Sequence, residues 1–133
     1  MYYKEFDNIE TAISSCNEYL NSLEMESELI AGALEKVQDE GAYFQKLKKE
    51  LGVEDNRAIL FKEIDGIEVY FEPSPEALEE VLKKRAEVVE KEIEKCRKVL
   101  SILESIREIP WSSNLKVTIL MDPSEAKLFF RTR

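Results

Sequence analysis

The side chains of this chain that can carry chemistry are two cysteines and a surplus of carboxylates. There are 28 Asp and Glu against 19 Lys and Arg, no histidine, and a formal net charge of −9. Without histidine the commonest general base and metal ligand is missing. The serines stand without a base beside them, and the four glycines form no phosphate-cradling loop. Carboxylates such as Glu79, Glu80, Glu90 and Glu94 alternate with Lys83, Lys84 and Lys91, the pattern of a solvated helix face. A carboxylate pair working as acid and base needs a cleft, and nothing in the pattern builds one. Cys16 and Cys96 both fall on apolar stripes, where a thiol is packed and inert. The expectation is a protein that is not an enzyme, with no catalytic residues, no metal and no cofactor.

The negative charge argues against nucleic acid, whose phosphates demand a basic surface, and against an anionic membrane. No apolar run approaches the roughly 20 residues that cross a bilayer. The first residues, Met1 to Asp7, lack the basic start and apolar centre of a signal peptide. A cytoplasmic protein with protein partners is the expectation.

The elements that must position these side chains are dominated by a seven-residue apolar repeat. It reads Tyr2, Phe6, Ile9, Ile13, Cys16, Leu20, Leu23, Ser27, Ile30, Leu34, Val37, Gly41, Phe44, Lys48, Leu51. A helix with such a stripe cannot hide its seam alone and must supercoil against another helix. Gly52 ends the pattern. Two β-rich runs around Asp65-Gly66 then predict a hairpin over 57–72, because both turn positions need positive φ. A two-residue turn sets Ile64 opposite Ile67, Lys62 opposite Val69 and Leu60 opposite Phe71, with Phe61 opposite Tyr70 on the other face.

Ser74 as N-cap, Pro75 at the first helical position and acids in the first turn start a second helix, which Pro110 stops after Ile109. Its stripe is Leu78, Leu82, Ala86, Val89, Ile93, Cys96, Leu100, Leu103. Residues 115–121 read as a strand and Asp122-Pro123-Ser124-Glu125 as a turn. Residues 126–132 can return as a strand, pairing Met121 with Ala126, Ile119 with Leu128 and Val117 with Phe130. The competing reading of 122–133 is a helix capped by Asp122 and Glu125. The expected fold class is mostly α: a long antiparallel two-helix coiled coil (1–51 and 75–109) with an intervening β-hairpin (57–72) and a C-terminal β segment (115–132), in a single domain. If the helices fold back about residue 63, Cys16 and Cys96 lie roughly 20 Å apart at 1.5 Å of rise per residue, beyond disulfide reach.

The order helix, acidic linker, strand, turn, strand, helix resembles the prefoldin family, most closely its β-type subunit. The residues that carry this are Val53-Glu54-Asp55-Asn56-Arg57-Ala58-Ile59-Leu60-Phe61-Lys62, Ile67-Glu68-Val69-Tyr70-Phe71 and Glu76-Ala77-Leu78-Glu79-Glu80-Val81-Leu82. The likeness covers roughly residues 25–109. It implies an ATP-independent chaperone subunit in a hexamer, whose hairpins assemble into a β-barrel platform and whose helical tips hold unfolded clients for a chaperonin. Carried over by position, the oligomerisation residues are Ile59, Phe61, Ile67, Val69 and Phe71. The client-binding residues are Tyr2, Tyr3, Phe6, Ile9, Ile106, Ile109 and Trp111. The chain departs from the family in its amphipathic C-terminal β segment, which the facing rule sets beside residues 2–11. That departure supports an alternative: a coiled-coil adaptor or assembly subunit docking specific folded proteins. The stripes leave open whether the coil forms within one chain or between chains.

Overall fold

The computed structural model describes residues 1–51, 59–71 and 74–132. The chain is mostly helical, with two long antiparallel helices, a β-hairpin between them and strands at the C-terminal end. In order the elements are β1 (Tyr2–Phe6), α1 (Ile9–Leu51), β2 (Ile59–Ile64), β3 (Ile67–Phe71), α2 (Pro75–Arg107), a short 3-10 turn (Ser112–Asn114), β4 (Leu115–Met121) and β5 (Ala126–Thr132). The chain divides into two compact units, one of residues 1–28 and 87–133 and the other of residues 29–86.

The first correction concerns the start of the chain. Residues 2–6, expected as the opening turns of helix 1, form a strand. A spacing of four puts Tyr2 and Phe6 on one face of a strand as well as on one side of a helix, so the repeat could not separate the two. The chain turns at Asn8, whose Oδ1 accepts the Thr11 backbone N–H at 2.8 Å and caps α1. β1 then pairs antiparallel with β4, Tyr2 opposite Met121 and Phe6 opposite Val117. The sheet of the first unit has the order β1-β4-β5.

The C-terminal segment is a hairpin and not a capped helix, in the expected register: Met121 opposite Ala126, Ile119 opposite Leu128, Val117 opposite Phe130. Asp122 Oδ1 accepts the backbone N–H of Ser124 at 2.8 Å and of Glu125 at 2.9 Å, so the carboxylate satisfies the turn instead of a helix start. These bonds, with the Ser124 hydroxyl, hold the Asp122 carboxyl below its usual range. As the middle strand, β4 buries Leu115, Val117, Ile119 and Met121 on one face. That face closes over the helical stripe of the same unit, Ile9, Ala12, Ile13, Cys16, Ile93, Cys96, Val99 and Leu103, all buried. The sheet and both helices contribute here, and the largest fully buried side chains all belong to this unit.

The second unit lacks such a cover. Its buried apolar side chains among the described residues are Ile30 and Val37, because two helices alone leave each seam residue one open flank. Ser74 caps α2 through the Ala77 backbone N–H at 3.3 Å, and Pro75 is the first helical residue, as expected. At its far end α2 stops at Arg107, two residues before the expected Ile109, where Ser112 Oγ donates to the Arg107 carbonyl.

The facing rule is also corrected. Glu10 lies opposite Arg107, Glu24 opposite Arg97, Ser27 opposite Glu90 and Gln38 opposite Glu79. The pairing is shifted by about two and a half helical turns from one centred on residue 63. The reason lies at the start of α2. A Cβ placed on Gly41 would stand 3.5 Å from the Pro75 side chain, so α2 begins beside Gly41 while α1 continues to Leu51. The connection is lopsided, and a midpoint drawn between the helix ends misplaces every pair.

The β2–β3 turn is as expected, with Asp65 at φ 51° and Gly66 at φ 79°. Ile64 faces Ile67 and Lys62 faces Val69, but the register shifts between Leu60 and Lys62. Leu60 is then opposite Tyr70 and Ile59 opposite Phe71, so Phe61 is an extra residue on its strand. Arg57, Ala58 and Glu72 of the expected hairpin, and Val53 to Asn56 before it, lie outside the described residues.

Candidate functional site

The residues expected at a client-binding tip divide into two groups. Tyr2 and Ile9 are core. The Tyr2 hydroxyl lies 2.6 Å from Ser15 Oγ, and its ring centroid is 4.7 Å from that of Tyr19. The Lys4 ammonium sits 5.4 Å from the same ring. Burial raises the Tyr2 hydroxyl, while burial and the neighbouring Glu92 carboxylate push Tyr19 up to about 12. Phe6, Ile106 and Ile109 are half-buried. Tyr3 and Trp111 are the two that face water, 56% and 58% exposed.

The sheet explains the split between neighbouring tyrosines. Tyr2 belongs to the face that closes on the helices, and Tyr3 to the outer face, opposite Leu120. The outer face continues across β4 and β5 as Leu120 opposite Lys127, Thr118 opposite Phe129 and Lys116 opposite Arg131. Phe129 is 50% exposed and was not among the expected site residues. The strand alternation already set it on that face with Thr118, and that was the signal available for it.

The cysteines follow from the corrected pairing of the helices. Expected far apart, they meet across the helix pair, with Cys96 Sγ donating to the Cys16 carbonyl at 3.5 Å. Both are free and fully buried. Desolvation pushes the Cys16 thiol up to about 11 and the Cys96 thiol up to about 12. Thiols held protonated in this way are poor nucleophiles and poor metal ligands. Among the described residues no three His, Cys, Asp or Glu side chains gather where they could hold a metal ion.

In the second unit the hairpin presents Ile64, Ile67 and Val69 to water, Ile67 at 66% exposure. Among the described residues β2 and β3 form a two-stranded sheet with no third strand. Of the expected oligomerisation residues, Ile67 and Val69 are therefore exposed, while the side chains of Ile59, Phe61 and Phe71 lie outside the described ones. A two-stranded hairpin is marginal by itself in water, and its apolar face needs a cover. No described helix is long and apolar enough to cross a membrane.

No family model, curated protein or solved structure matches the chain.

Proposed function

We propose that this chain is a coiled-coil adaptor or assembly subunit, without catalytic activity or cofactor, that docks folded protein partners in the cytoplasm. The observation that carries this reading is the exposed apolar set Ile64, Ile67 and Val69 on a hairpin that, among the described residues, has no third strand. Burying such a set against a partner removes apolar surface from water and completes a sheet that is weak alone. The closed state of the other unit argues in the same direction. Tyr2 on the inner face of β1 and Ile9 at the start of α1, which a holder of unfolded chains would leave open, are buried. Two free cysteines side by side accord with a reducing compartment.

The test is a pull-down and native mass measurement of the full chain beside an Ile67→Asp, Val69→Asp variant. The adaptor reading expects discrete complexes with the native protein and their loss in the variant, with the far-UV circular dichroism unchanged. Complexes that survive the double substitution would refute it.

A prefoldin-like holdase is the second reading, favoured by the same hairpin together with exposed Tyr3 and Trp111. It expects suppression of aggregation of a denatured enzyme at near-stoichiometric ratio, weakened by Tyr3→Ser with Trp111→Ser. Deleting residues 112–133 would not separate the readings, because it removes Val117, Ile119 and Met121 from the core.

A further inference from the structure

We infer that β5 is a self-association edge: two copies of the chain join β5 to β5, antiparallel and centred on Leu128, into one continuous six-stranded sheet. The inference concerns the sheet of residues 1–28 and 87–133 and stands apart from the hairpin proposed above to dock partners.

The free edge follows from the strand order β1-β4-β5, which among the described residues leaves β5 unpaired on its outer side. Its seven residues contain neither glycine nor proline, and its ladder with β4 runs without a register shift. The other edge, β1, is shorter and carries Lys4 and Glu5 at its centre. Natural edges are commonly blunted by short length, charge, proline or a bulge, and a long regular one is a template for pairing. β5 meets that description apart from Lys127 and Arg131, so the question is where those two cations go.

The phase of the ladder answers which backbone groups are free. Asp122 N–H donates to the Glu125 carbonyl at 2.9 Å. Bonded pairs alternate in an antiparallel ladder, so Lys127, Phe129 and Arg131 bond to β4. The N–H and C=O groups of Ala126, Leu128, Phe130 and Thr132 point outward. A second β5 must meet these even-numbered residues with its own.

Centring the pair on Phe129 sets each Lys127 opposite an Arg131, and like charges directly opposite disfavour pairing. Centring it on Leu128 sets each Arg131 opposite a Glu125, each Lys127 opposite the ring of Phe129, and each Phe130 opposite the small Ala126. Leu128 then meets its own counterpart on the two-fold axis. Charge, cation–π and volume all select this register, and the half-buried Leu128 and Phe130 gain the cover they lack. About six main-chain hydrogen bonds form across the junction. The contact is one strand long, below the area of a permanent dimer, so the association is weak and concentration-dependent.

Sedimentation equilibrium of the full chain from about 5 to about 500 µM is the first measurement, with cysteine cross-linking as the positional one. Leu128→Cys places two thiols across the axis within disulfide reach, whereas Ala126→Cys holds them roughly 13 Å apart at 3.4 Å per residue. The native thiols are buried and stay out of the reaction. Under oxidised glutathione, Leu128→Cys is expected to give a reducible band at twice the 15.5 kDa chain mass, and Ala126→Cys is not. Arg131→Glu and Glu125→Arg should each raise the dimer dissociation constant at least tenfold, and the two together should restore it to within threefold. Equal cross-linking of the two cysteine variants, or a double charge variant as weak as the singles, overturns the proposal. An assembly that forms without the Leu128→Cys cross-link also overturns it, while leaving the hairpin reading intact.

Discussion

Leu82 and Leu103 occupy equivalent positions in the apolar stripe of α2, and their substitution by alanine is expected to have unequal cost. Leu103 is 0% exposed, in the unit that carries the three-stranded sheet, while Leu82 is half-buried in the unit that has none. Leu103→Ala removes three buried carbons, worth about 2.4 kcal/mol at ~0.8 kcal/mol each. The cavity left behind adds to this, for a total of about 3–4 kcal/mol. Leu82→Ala removes carbons already partly in water and leaves a site that solvent can enter, so the cost is about 1 kcal/mol. Urea unfolding followed by circular dichroism, with native-state hydrogen exchange to resolve the two units, measures both. Leu103→Ala should lower Tm by on the order of 10 °C and reduce protection of the amides in β4 and in residues 87–107. Leu82→Ala should change exchange mainly within residues 29–86. Equal losses from the two substitutions would refute the reasoning, since they would mean that the sheet adds nothing to the burial of the helix pair.

The remaining predictions rest on single groups. Cys16 and Cys96 keep their protons in the folded chain well above the ordinary thiol value of 9.0. Their contribution to stability is thus full below pH 9 and is lost as pH rises towards 11–12. A thiol reagent at pH 8 should react with neither cysteine until the chain is unfolded, and prompt reaction of either would contradict the burial. Asp122 has the opposite sign: its depressed carboxyl favours the folded turn above the ordinary value of 3.8 and loses that effect as pH falls through its lower folded value. Protection of the β5 amides, taken relative to the intrinsic exchange rate at each pH, should therefore fall in acid, and Asp122→Ala should remove this pH dependence while lowering protection at neutral pH. Tyr2→Phe deletes the 2.6 Å hydrogen bond to Ser15 and should cost about 1 kcal/mol, read from the urea midpoint. Gly66→Val forces a β-branched side chain to φ 79° and should destabilise the β2–β3 hairpin by about 1–2 kcal/mol, visible as faster exchange in β3 with β4 unchanged.

Much of the fold was legible because its signals are local. Asp65-Gly66 announced a turn that only positive φ allows, and Ser74-Pro75 announced a helix start. The C-terminal register followed from a four-residue turn and strict alternation, down to each pair between Met121–Ala126 and Lys116–Arg131. Where local signals were degenerate, the reading went astray. Tyr2 and Phe6 suit a helix and a strand equally, and the choice was made by β4, more than a hundred residues away. Phe61 shifts the register of β2 without any glycine or proline to mark it. The alternation of β4 and β5 also sets Phe129 beside Thr118 on the outer face, whereas no local signal separates Tyr2 from Tyr3.

The sequence by itself determined the two helices, the two hairpins and the lack of histidine, since propensity, capping and turn chemistry act within a few residues. Only the tertiary structure decided how far one helix slides along the other. That alignment sets Pro75 beside Gly41 in one unit and brings Cys16 to Cys96 and Glu10 to Arg107 in the other. A heptad stripe is nearly the same after each shift of seven residues, so the stripe alone cannot select an alignment. The packing at the helix start and the sheet over the other end remove that degeneracy.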